Sequence, residues 1–283
     1  MGLYIFASLR VRDAGLRDAM VDQTSRVSQI HLALRRAIIE QALEPGAKLP
    51  EDAIGVQFEV SRTVARRALE LLAAEELVEF RPNRGASIIS PTLEQAHDLF
   101  AVRIDMERIV ARRICGNLSK VDVARLNKHV ATEEQALRHN RPDYIRLAAY
   151  FHVLLAELSG SPQLLRYVTQ LVWRSALVLR LHGRPRWHSC NVQEHVDLIA
   201  ALELGDKSRA DRLLTAHLES VLTRALDGTT IQGEPKLGDV LSRYSEPRVA
   251  EAKSTKRARR GAVSGTATRA RPRLQREARP RQS

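Results

Sequence analysis

The chain has 283 residues, of which 44% are hydrophobic and 4% aromatic, a length and composition that suit two globular domains with mainly aliphatic cores. Its formal net charge is +12, but residues 251–283 hold 11 basic and 2 acidic residues, so the charge of the remainder says little about nucleic-acid binding. Cys115 and Cys190 lie far apart and outside any CxxC pattern, so the sequence indicates neither a disulfide framework nor a thiolate metal site. No apolar run reaches the ~18 residues of a membrane span, and we expect a cytoplasmic protein.

Residues 1–25 show no clear element, because scattered charges interrupt every apolar stripe. We expect a disordered N-terminal arm there, or a true start of translation at Met20. From about Ser28, apolar residues at helical spacing predict an amphipathic helix that continues to Leu43 and stops before the turn-forming residues Glu44-Pro45-Gly46.

A short helix is predicted up to Phe58, since proline and acidic residues suit its first turn. Ser61 is then a good N-cap for a second helix. One face of that helix has apolar residues at helical spacing, Ala65, Ala68, Leu69 and Leu72, and the other carries Arg62, Thr63, Arg66 and Arg67. A basic helix start with an apolar anchor behind it suits insertion into the DNA major groove. A solvated surface helix with three arginines is the plainer alternative.

Two short helices joined by a tight turn, the second of them basic, predict a helix-turn-helix. After it, apolar runs at 77–80 and 86–89 flank a basic turn and predict a β-hairpin, a wing suited to touching the DNA backbone or minor groove. The candidate DNA-binding residues belong to the helix start and to the wing: Ser61, Arg62, Thr63, Arg66, Arg67, Arg81, Asn83, Arg84 and Gly85.

The segment from Leu43 to Ile89 resembles the winged-helix domain of the GntR family of bacterial transcriptional regulators. The residues that carry the resemblance are Pro45-Gly46-x-x-Leu49, Val60-Ser61-Arg62-Thr63, Arg66, Ala68-Leu69, Leu72, Leu77-Val78 and Pro82-Asn83-Arg84-Gly85. The resemblance implies a DNA-binding domain at 26–90. Arg67 stands where the family usually has an acid, and we expect it to strengthen attraction to phosphate and to alter the choice of operator.

From Thr92 onward the pattern is helical for about 135 residues, an extent judged by its apolar periodicity. Helix starts and stops are predicted at Thr92, Ser119, Arg141-Pro142-Asp143, Gly160-Ser161-Pro162, Gly183-Arg184-Pro185-Arg186 and Gly205-Asp206. Six helices of this length and order predict an all-α bundle at 91–227.

This second half resembles the ligand-sensing FCD domain of the FadR-type subgroup of the same family. The matching runs are Phe100-x-x-Arg103-x-x-x-Glu107, Tyr150-Phe151-His152, Leu158-Ser159-Gly160-Ser161, Glu194-His195, Leu204-Gly205-Asp206 and Ala216-His217-Leu218. Six helices rather than seven place the chain nearer the VanR-like branch of that subgroup.

Three histidines, His152, His195 and His217, each lie on an apolar helix face. A lone histidine in such a place is usually a satisfied core residue. Three imidazoles brought together suit Zn²⁺ or Ni²⁺ and leave a position that a small acid can complete. The resemblance implies that the three converge on a divalent metal together with an aspartate one turn before the first histidine, but that position is Ala148, which should weaken metal affinity. Direct binding of an effector by the histidines, or a site that no longer binds metal, are the alternatives.

Arg103 is a further candidate for effector binding. Its plain role is a salt bridge with Glu107, but a buried guanidinium near the cavity would hold an effector carboxylate in a bidentate way. Tyr150 is proposed to bind the effector with the three histidines. Tyr150, Trp187 and His188 are candidates for lining or covering the cavity, because they are near the matching runs in sequence.

After Asp227 the periodicity is lost. Residues 228–247 are predicted to be a polar linker, and 251–283 are rich in Arg, Ala, Pro and Ser with almost no apolar content, so we predict a disordered basic tail over 228–283. Such a tail either keeps the protein soluble or adds non-specific contact with DNA.

The leading hypothesis is a DNA-binding transcriptional regulator, a repressor that binds a short palindromic operator as a homodimer. A small organic or sugar acid in the helical domain would control its affinity for DNA by a population shift. The alternatives are a metal-dependent enzyme built on the histidines and an architectural DNA binder acting through the tail. An enzyme is disfavoured because the sequence has no HExxH or GxSxG arrangement.

Overall fold

The structure, a computed structural model, describes residues 26–182, 192–226 and 237–245. Over these ranges the chain is mainly helical with one small two-stranded sheet, so the predicted fold class, a winged helix-turn-helix followed by an all-α bundle, is confirmed. No helix in the described ranges is long and apolar enough to cross a membrane. The predictions for the N-terminal arm, the loop at 183–186 and the tail beyond 245 lie outside the described residues.

The first domain is built from α1 (26–39), α2 (Glu51–Phe58), α3 (Arg62–Ala74), β1 (Val78–Arg81) and β2 (Gly85–Ile88). The predicted continuation of the first helix to Leu43 is wrong. Gln41 adopts a left-handed backbone conformation with φ 58°, and the amide of Ala42 bonds back to the carbonyl of Ala37, which ends the helix. Leu43 still reaches the core, with 3% of its surface exposed.

The strands pair antiparallel, with Val78 opposite Ile88 and Arg81 opposite Gly85. The hairpin therefore extends to the two residues that bound the predicted turn. Ile88 is completely buried against the helices, because alternate residues of a strand face one side. This packing holds the wing against the helix-turn-helix.

The second domain is built from α4 (Leu93–Ile114), α5 (Lys120–Arg138), α6 (Tyr144–Leu158), α7 (Pro162–His182), α8 (Val192–Glu203) and α9 (Lys207–Leu226). Thr92 and Ser119 form capping boxes with Gln95 and Asp122, which satisfies backbone groups that would otherwise lack partners. Pro162 occupies the first position of α7, where its missing N–H costs nothing. The described helices agree with the predicted six-helix bundle, and the VanR-like branch stays a prediction.

A further helix, α10 (Leu237–Ser245), falls within the segment predicted to be linker and disordered tail. That prediction is wrong for these nine residues. Leu237, Val240, Leu241 and Tyr244 recur at the spacing of one helix face, and Val240 and Leu241 are 0% and 1% exposed. So short a helix is marginal alone, and it is stabilised here by packing on α2.

Glu40 joins the two domains and α10. Its Oε1 accepts hydrogen bonds from Arg36 at 3.1 Å and from Arg146 of α6 at 2.9 Å. Its Oε2 accepts from the hydroxyl of Tyr244 at 2.9 Å. At 7% exposure the carboxylate would be costly to bury without these partners. The end of α1 is thereby tied to both the bundle and the last helix.

Candidate DNA-binding surface and histidine site

The start of α3 has the geometry of a capped, half-exposed helix. The Ser61 hydroxyl accepts from the amide of Val64 at 3.4 Å. Behind it, the four predicted apolar residues, Ala65, Ala68, Leu69 and Leu72, are completely buried. In front, the predicted DNA-binding residues Arg62, Thr63, Arg66 and Arg67 are exposed. The sequence pattern therefore gives α3 two faces: a buried apolar face that anchors it in the domain, and an exposed basic face, called here the free face.

Each arginine on the free face pairs with a carboxylate of the same domain. Arg62 lies 3.0 Å from Asp52, Arg66 lies 3.2 Å from Glu51 and 3.3 Å from Glu70, and Arg67 lies 3.5 Å from Glu70. Exposed pairs of this kind contribute roughly 0–1 kcal/mol. They hold the guanidinium groups on the helix surface but are weak enough to be exchanged for phosphate oxygens.

The wing places its predicted residues at an exposed turn. Arg81, Asn83, Arg84 and Gly85 are all exposed. Asn83 and Gly85 have positive φ values of 59° and 74°, and the amide of Arg84 bonds to the carbonyl of Arg81 at 3.0 Å. The guanidinium of Arg66 lies 5.3 Å from the ring centre of Phe80 in β1, a cation–π contact that links α3 to the wing.

The structure brings the three predicted histidines together in the bundle. His152 of α6, His195 of α8 and His217 of α9 are 0–3% exposed, and each offers a ligand atom within 4.8 Å of the others. The Nε2 atoms of His152 and His217 are 3.2 Å apart. Two nitrogen ligands of one tetrahedral Zn²⁺ are roughly 3.3 Å apart for the usual Zn–N distance.

A carboxylate contacts the outer nitrogen of every one of these rings. The Nδ1–oxygen pairs are His152–Glu107 at 2.6 Å, His195–Glu133 at 2.9 Å and His217–Glu194 at 2.6 Å. A carboxylate can only accept, so Nδ1 carries the hydrogen and Nε2 of a neutral ring presents its lone pair. Metal-binding histidines commonly have this outer carboxylate.

Burial sets the charge of the rings. It lowers the pKa of His152 to about 4 and that of His217 to about 3, even though Glu107 and Glu194 oppose the shift. Burial alone would raise the pKa of Glu107, but attraction and hydrogen bonds from His152 and Arg103 lower it to about 2. At neutral pH the rings of His152 and His217 are therefore neutral and the Glu107 carboxylate is ionised.

Two neutral rings with their lone pairs 3.2 Å apart repel each other. The buried Nε2 of His195 has no hydrogen-bond partner in the described part of the chain. A cation among the three nitrogens would relieve both problems, because imidazole nitrogens bind Zn²⁺ and similar ions. The donor set therefore fits a divalent metal without the aspartate that Ala148 replaces.

A small cavity adjoins the histidines. Its volume is about 20 Å³, which is room for one or two water molecules. The lining residues are Arg103, Ile145, Ala149, His152, Val172, Ser175, Ala176, Leu179, His217 and Val221. Arg103 lines it as predicted, at 4% exposure. Its Nε donates to Glu107 at 2.7 Å, so the predicted salt bridge is also present, and it is buried.

Tyr150 does not line this cavity, although it was a candidate for effector binding. It lies two residues before His152 on α6, and two residues turn a helix through about 200°. Its hydroxyl donates to Glu157 at 3.0 Å and its ring lies 5.7 Å from that of His129. Trp187 and His188 lie outside the described residues.

Sequence reasoning missed the carboxylates that contact the histidines. Glu107 was singled out only as a partner of Arg103, and Glu194 only as part of a matching run. Glu133 had no distinguishing pattern, since it is 62 positions from His195. Contacts at such separation depend on the packing of helices and leave no local sequence signature.

Two family models match the chain. The model described as bacterial regulatory proteins, gntR family, matches residues 26–88, and that of the FCD domain matches residues 98–220. The winged helix and most of the bundle, including all three histidines, fall within these matches.

Similar curated proteins are bacterial regulators. The HTH-type transcriptional repressor RspR of Escherichia coli is 28% identical over 203 residues, which are 68% of this chain and 86% of RspR. The Uxu operon regulator of Haemophilus influenzae is 26% identical over 78% of this chain and 90% of its own length. The HTH-type transcriptional repressor NanR of Klebsiella aerogenes is 28% identical over 62% and 76%. The matched families and relatives are DNA-binding regulators, not enzymes, so the enzyme alternative is set aside.

Solved structures share the fold. McbR/YncC of Escherichia coli superimposes with a TM-score of 0.60 at 22% identity, over 69% of this chain and 93% of that one. A GntR regulator of Rhodococcus sp. RHA1 superimposes with a TM-score of 0.64 at 24% identity, over 71% and 98%.

Proposed function

This chain belongs to the GntR family of bacterial regulatory proteins and carries an FCD domain, and we propose that it is a repressor whose hold on DNA is controlled by a small carboxylate bound beside a metal ion. As a transcriptional regulator it acts where bacterial DNA lies, in the cytoplasm. The observation that carries the proposal is the capped, basic free face of α3 next to an exposed basic wing.

In the proposed complex, the start of α3 enters the major groove. Arg62 and Arg66 leave their carboxylate partners for guanine edges or phosphates, since a bidentate contact with DNA is stronger than an exposed ion pair. Arg84 and Arg81 of the wing contact the backbone or the minor groove. Arg67 lies beside Arg66 and adds attraction to phosphate.

A short palindromic operator requires two copies of α3 related by a twofold axis, so we propose a homodimer. Val102 and Ile109 support this assembly. They lie two turns apart on α4, hence on one face, and 45% and 42% of their surfaces are exposed. Burying them against the same residues of a second copy would remove apolar surface from water.

The proposed metal site consists of His152, His195 and His217, with Glu107, Glu133 and Glu194 orienting the rings. A bound divalent ion such as Zn²⁺ or Ni²⁺ would supply a Lewis-acidic centre that an effector carboxylate can join. Arg103 would hold the same carboxylate from the cavity wall.

A route from this site to the DNA-binding domain supports control by the effector. Helix α6 carries His152 and also Arg146, which binds Glu40 of the first domain at 2.9 Å. Helix α7 carries the cavity residue Ser175 and its neighbour Arg174, which lies 3.0 Å from Glu76. A ligand that favours one position of α6 and α7 therefore favours one position of the winged helix.

The function is tested by selecting duplexes from a random-sequence DNA pool with the wild-type protein and measuring their affinity at fixed salt. Arg66→Ala should weaken the selected duplex about tenfold or more, the usual loss for a base or phosphate contact. The matched control is Arg138→Ala, because Arg138 is also exposed and paired at i,i+4. Failure to enrich any sequence, or equal affinity of the two variants, would overturn the proposal.

A further inference from the structure

An exposed acid lies beside the free face of α3. Asp52, the second residue of α2, is 3.0 Å from Nε of Arg62, and its side chain is 67% exposed. Within the described ranges Arg62 is its sole ion-pair partner, and the start of α2 has no side-chain cap. An acid in the first turn of a helix ordinarily interacts with the helix dipole. Its contact with a proposed DNA-reading arginine gives this acid a second possible task.

The tight turn between α2 and α3 fixes where Asp52 and Arg62 lie. The amide of Val60 donates to the carbonyl of Gly55 at 2.9 Å, and a Cβ at residue 55 would come within 3.0 Å of the Val60 carbonyl oxygen. Asp52 and Arg62 both line an open depression of about 360 Å³ at this turn. Because the two side chains stand on rigid elements around one open space, a base edge can reach both of them.

DNA binding deprives Asp52 of its partner. In the proposed complex, Arg62 leaves this carboxylate for a guanine edge or a phosphate. A carboxylate beside DNA without a hydrogen-bond donor is unfavourable, because phosphates repel it and it has lost water. Binding is therefore favoured where a base offers Asp52 a donor in place of the guanidinium.

Cytosine is the base that suits a carboxylate in the major groove. Its edge presents the N4 amino group, a donor, with no acceptor beside it. Adenine presents the donor N6 next to the acceptor N7, and guanine and thymine present acceptors to this position. A carboxylate can only accept, so acceptors on the base repel it.

The two other acids near the free face are less suited to reading a base. Glu51 has a side chain only 20% exposed and lies 3.2 Å from Arg66, so it stands behind the arginines. Glu70 contacts both Arg66 and Arg67, so it keeps one partner when Arg66 leaves. The exposed acid of α2 is the one that binding leaves both uncovered and unpaired.

We propose that Asp52 is a specificity-determining residue that selects a cytosine in each half of the operator, by accepting a hydrogen bond from the N4 amino group. This inference rests on the proposed DNA-binding function and extends it from attraction to base choice. Arginines bind phosphate on any sequence, whereas the acid rejects sequences that offer it no donor.

The test selects duplexes from a random-sequence pool with the full-length wild type, Asp52→Ala and Asp52→Asn. Replacing the selected cytosine should weaken the wild type about tenfold, the usual loss for one mismatched base pair. Asp52→Ala should bind the four bases at that position within about twofold of one another, since alanine neither donates nor accepts. Asp52→Asn should change the preference from cytosine to adenine, because an amide pairs with both N6 and N7 of adenine.

Glu59→Gln is the matched control. Glu59 directly follows α2, is exposed and lines the same depression, but makes no ion pair among the described residues. Its substitution removes one negative charge from the same surface and should leave the selected motif unchanged. If Asp52→Ala kept the cytosine preference of the wild type, or if Glu59→Gln lost it equally, the inference would be overturned. A wild type that enriches no sequence would instead overturn the DNA-binding function itself.

Discussion

Glu133→Gln removes one charge beside the proposed metal site and keeps the shape of the side chain. Glu133 is completely buried, and its Oε2 accepts from Nδ1 of His195 at 2.9 Å. Its Oε1 has no hydrogen-bond partner in the described part of the chain. The carboxylate therefore acts mainly through one ring, whose other nitrogen is a proposed metal ligand.

The expected loss follows from that geometry. Removing a carboxylate behind a metal-binding histidine usually weakens metal affinity 10- to 100-fold, about 1.4–2.7 kcal/mol. The glutamine oxygen can still accept from Nδ1 and keep the ring in place. Without metal, the same substitution removes a buried charge with a single partner, so the metal-free protein should be as stable as the wild type or more stable. Zn²⁺ affinity should thus fall, whereas the stability of the metal-free protein should not.

The assay is competition for Zn²⁺ with a chromophoric chelator, together with thermal unfolding with and without Zn²⁺. The matched control is Glu134→Gln, the next residue on α5, whose side chain is 47% exposed and pairs with Arg138. It should leave Zn²⁺ affinity unchanged. Wild-type affinity in Glu133→Gln would refute the assignment of His195 as a ligand. If Glu133→Gln lowered the free energy of unfolding of the metal-free protein by as much as it weakened the free energy of zinc binding, Glu133 would instead be a residue that stabilises the fold.

Three further outcomes are expected. Leu241→Ala should release α10, because truncating a docked leucine costs about 2–5 kcal/mol and so short a helix is marginal alone. Amide hydrogen exchange at 237–245 should then become faster, whereas the control Ser242→Ala, at an exposed position, should leave these amides protected. Retained protection in Leu241→Ala would contradict the packing. The free energy of unfolding of the metal-free protein should fall as the pH drops from about 6.5 to about 4. The pKa of His152 is 6.5 in the unfolded chain and about 4 in the folded protein, so over this range the unfolded chain binds a proton that the folded protein does not. His152 then accounts for a loss on the order of 3 kcal/mol at most. Glu107, with a pKa of about 2 against 4.5, adds a loss in the same direction below 4.5, and urea unfolding that is flat from neutral pH to pH 4 would rule out buried neutral rings. Deleting 246–283 should make the dependence of DNA affinity on salt shallower, by a slope of about 0.9 for each phosphate that the tail neutralises in the intact protein; an unchanged slope would assign the tail to solubility.

Local signals in the sequence were sufficient for much of the fold. Ser61, Thr92 and Ser119 are caps in the structure because their side chains bond to amides only three positions away. The buried face of α3 follows from a helical repeat that is read directly from the sequence. The end of α1 was predicted too late in the sequence, because the apolar spacing continues past Gln41. Gln41 has a left-handed backbone conformation, and no adjacent glycine or proline signals it in the sequence.

The interior of the site was less accessible to sequence reasoning. The three histidines were found because each lies on an apolar face and the family resemblance linked them. The distance between the Nε2 atoms of His152 and His217, and the isolation of His195 Nε2, depend on how α6, α8 and α9 pack. Tyr150 is close to His152 in sequence but is not among the residues that line the cavity, because two residues turn a helix through about 200°.

The docking of α10 makes the DNA-binding half of the molecule discontinuous in sequence. The matched family segments end at 88 and 220, yet Val240 and Leu241 cover α2 from the far end of the chain. A fragment cut after 90 would leave the surface under α10 bare and Glu40 without its partners Tyr244 and Arg146. An excised or grafted winged helix of this protein should therefore be less stable and more prone to aggregation than the same domain in the intact chain, unless residues 237–245 are supplied with it.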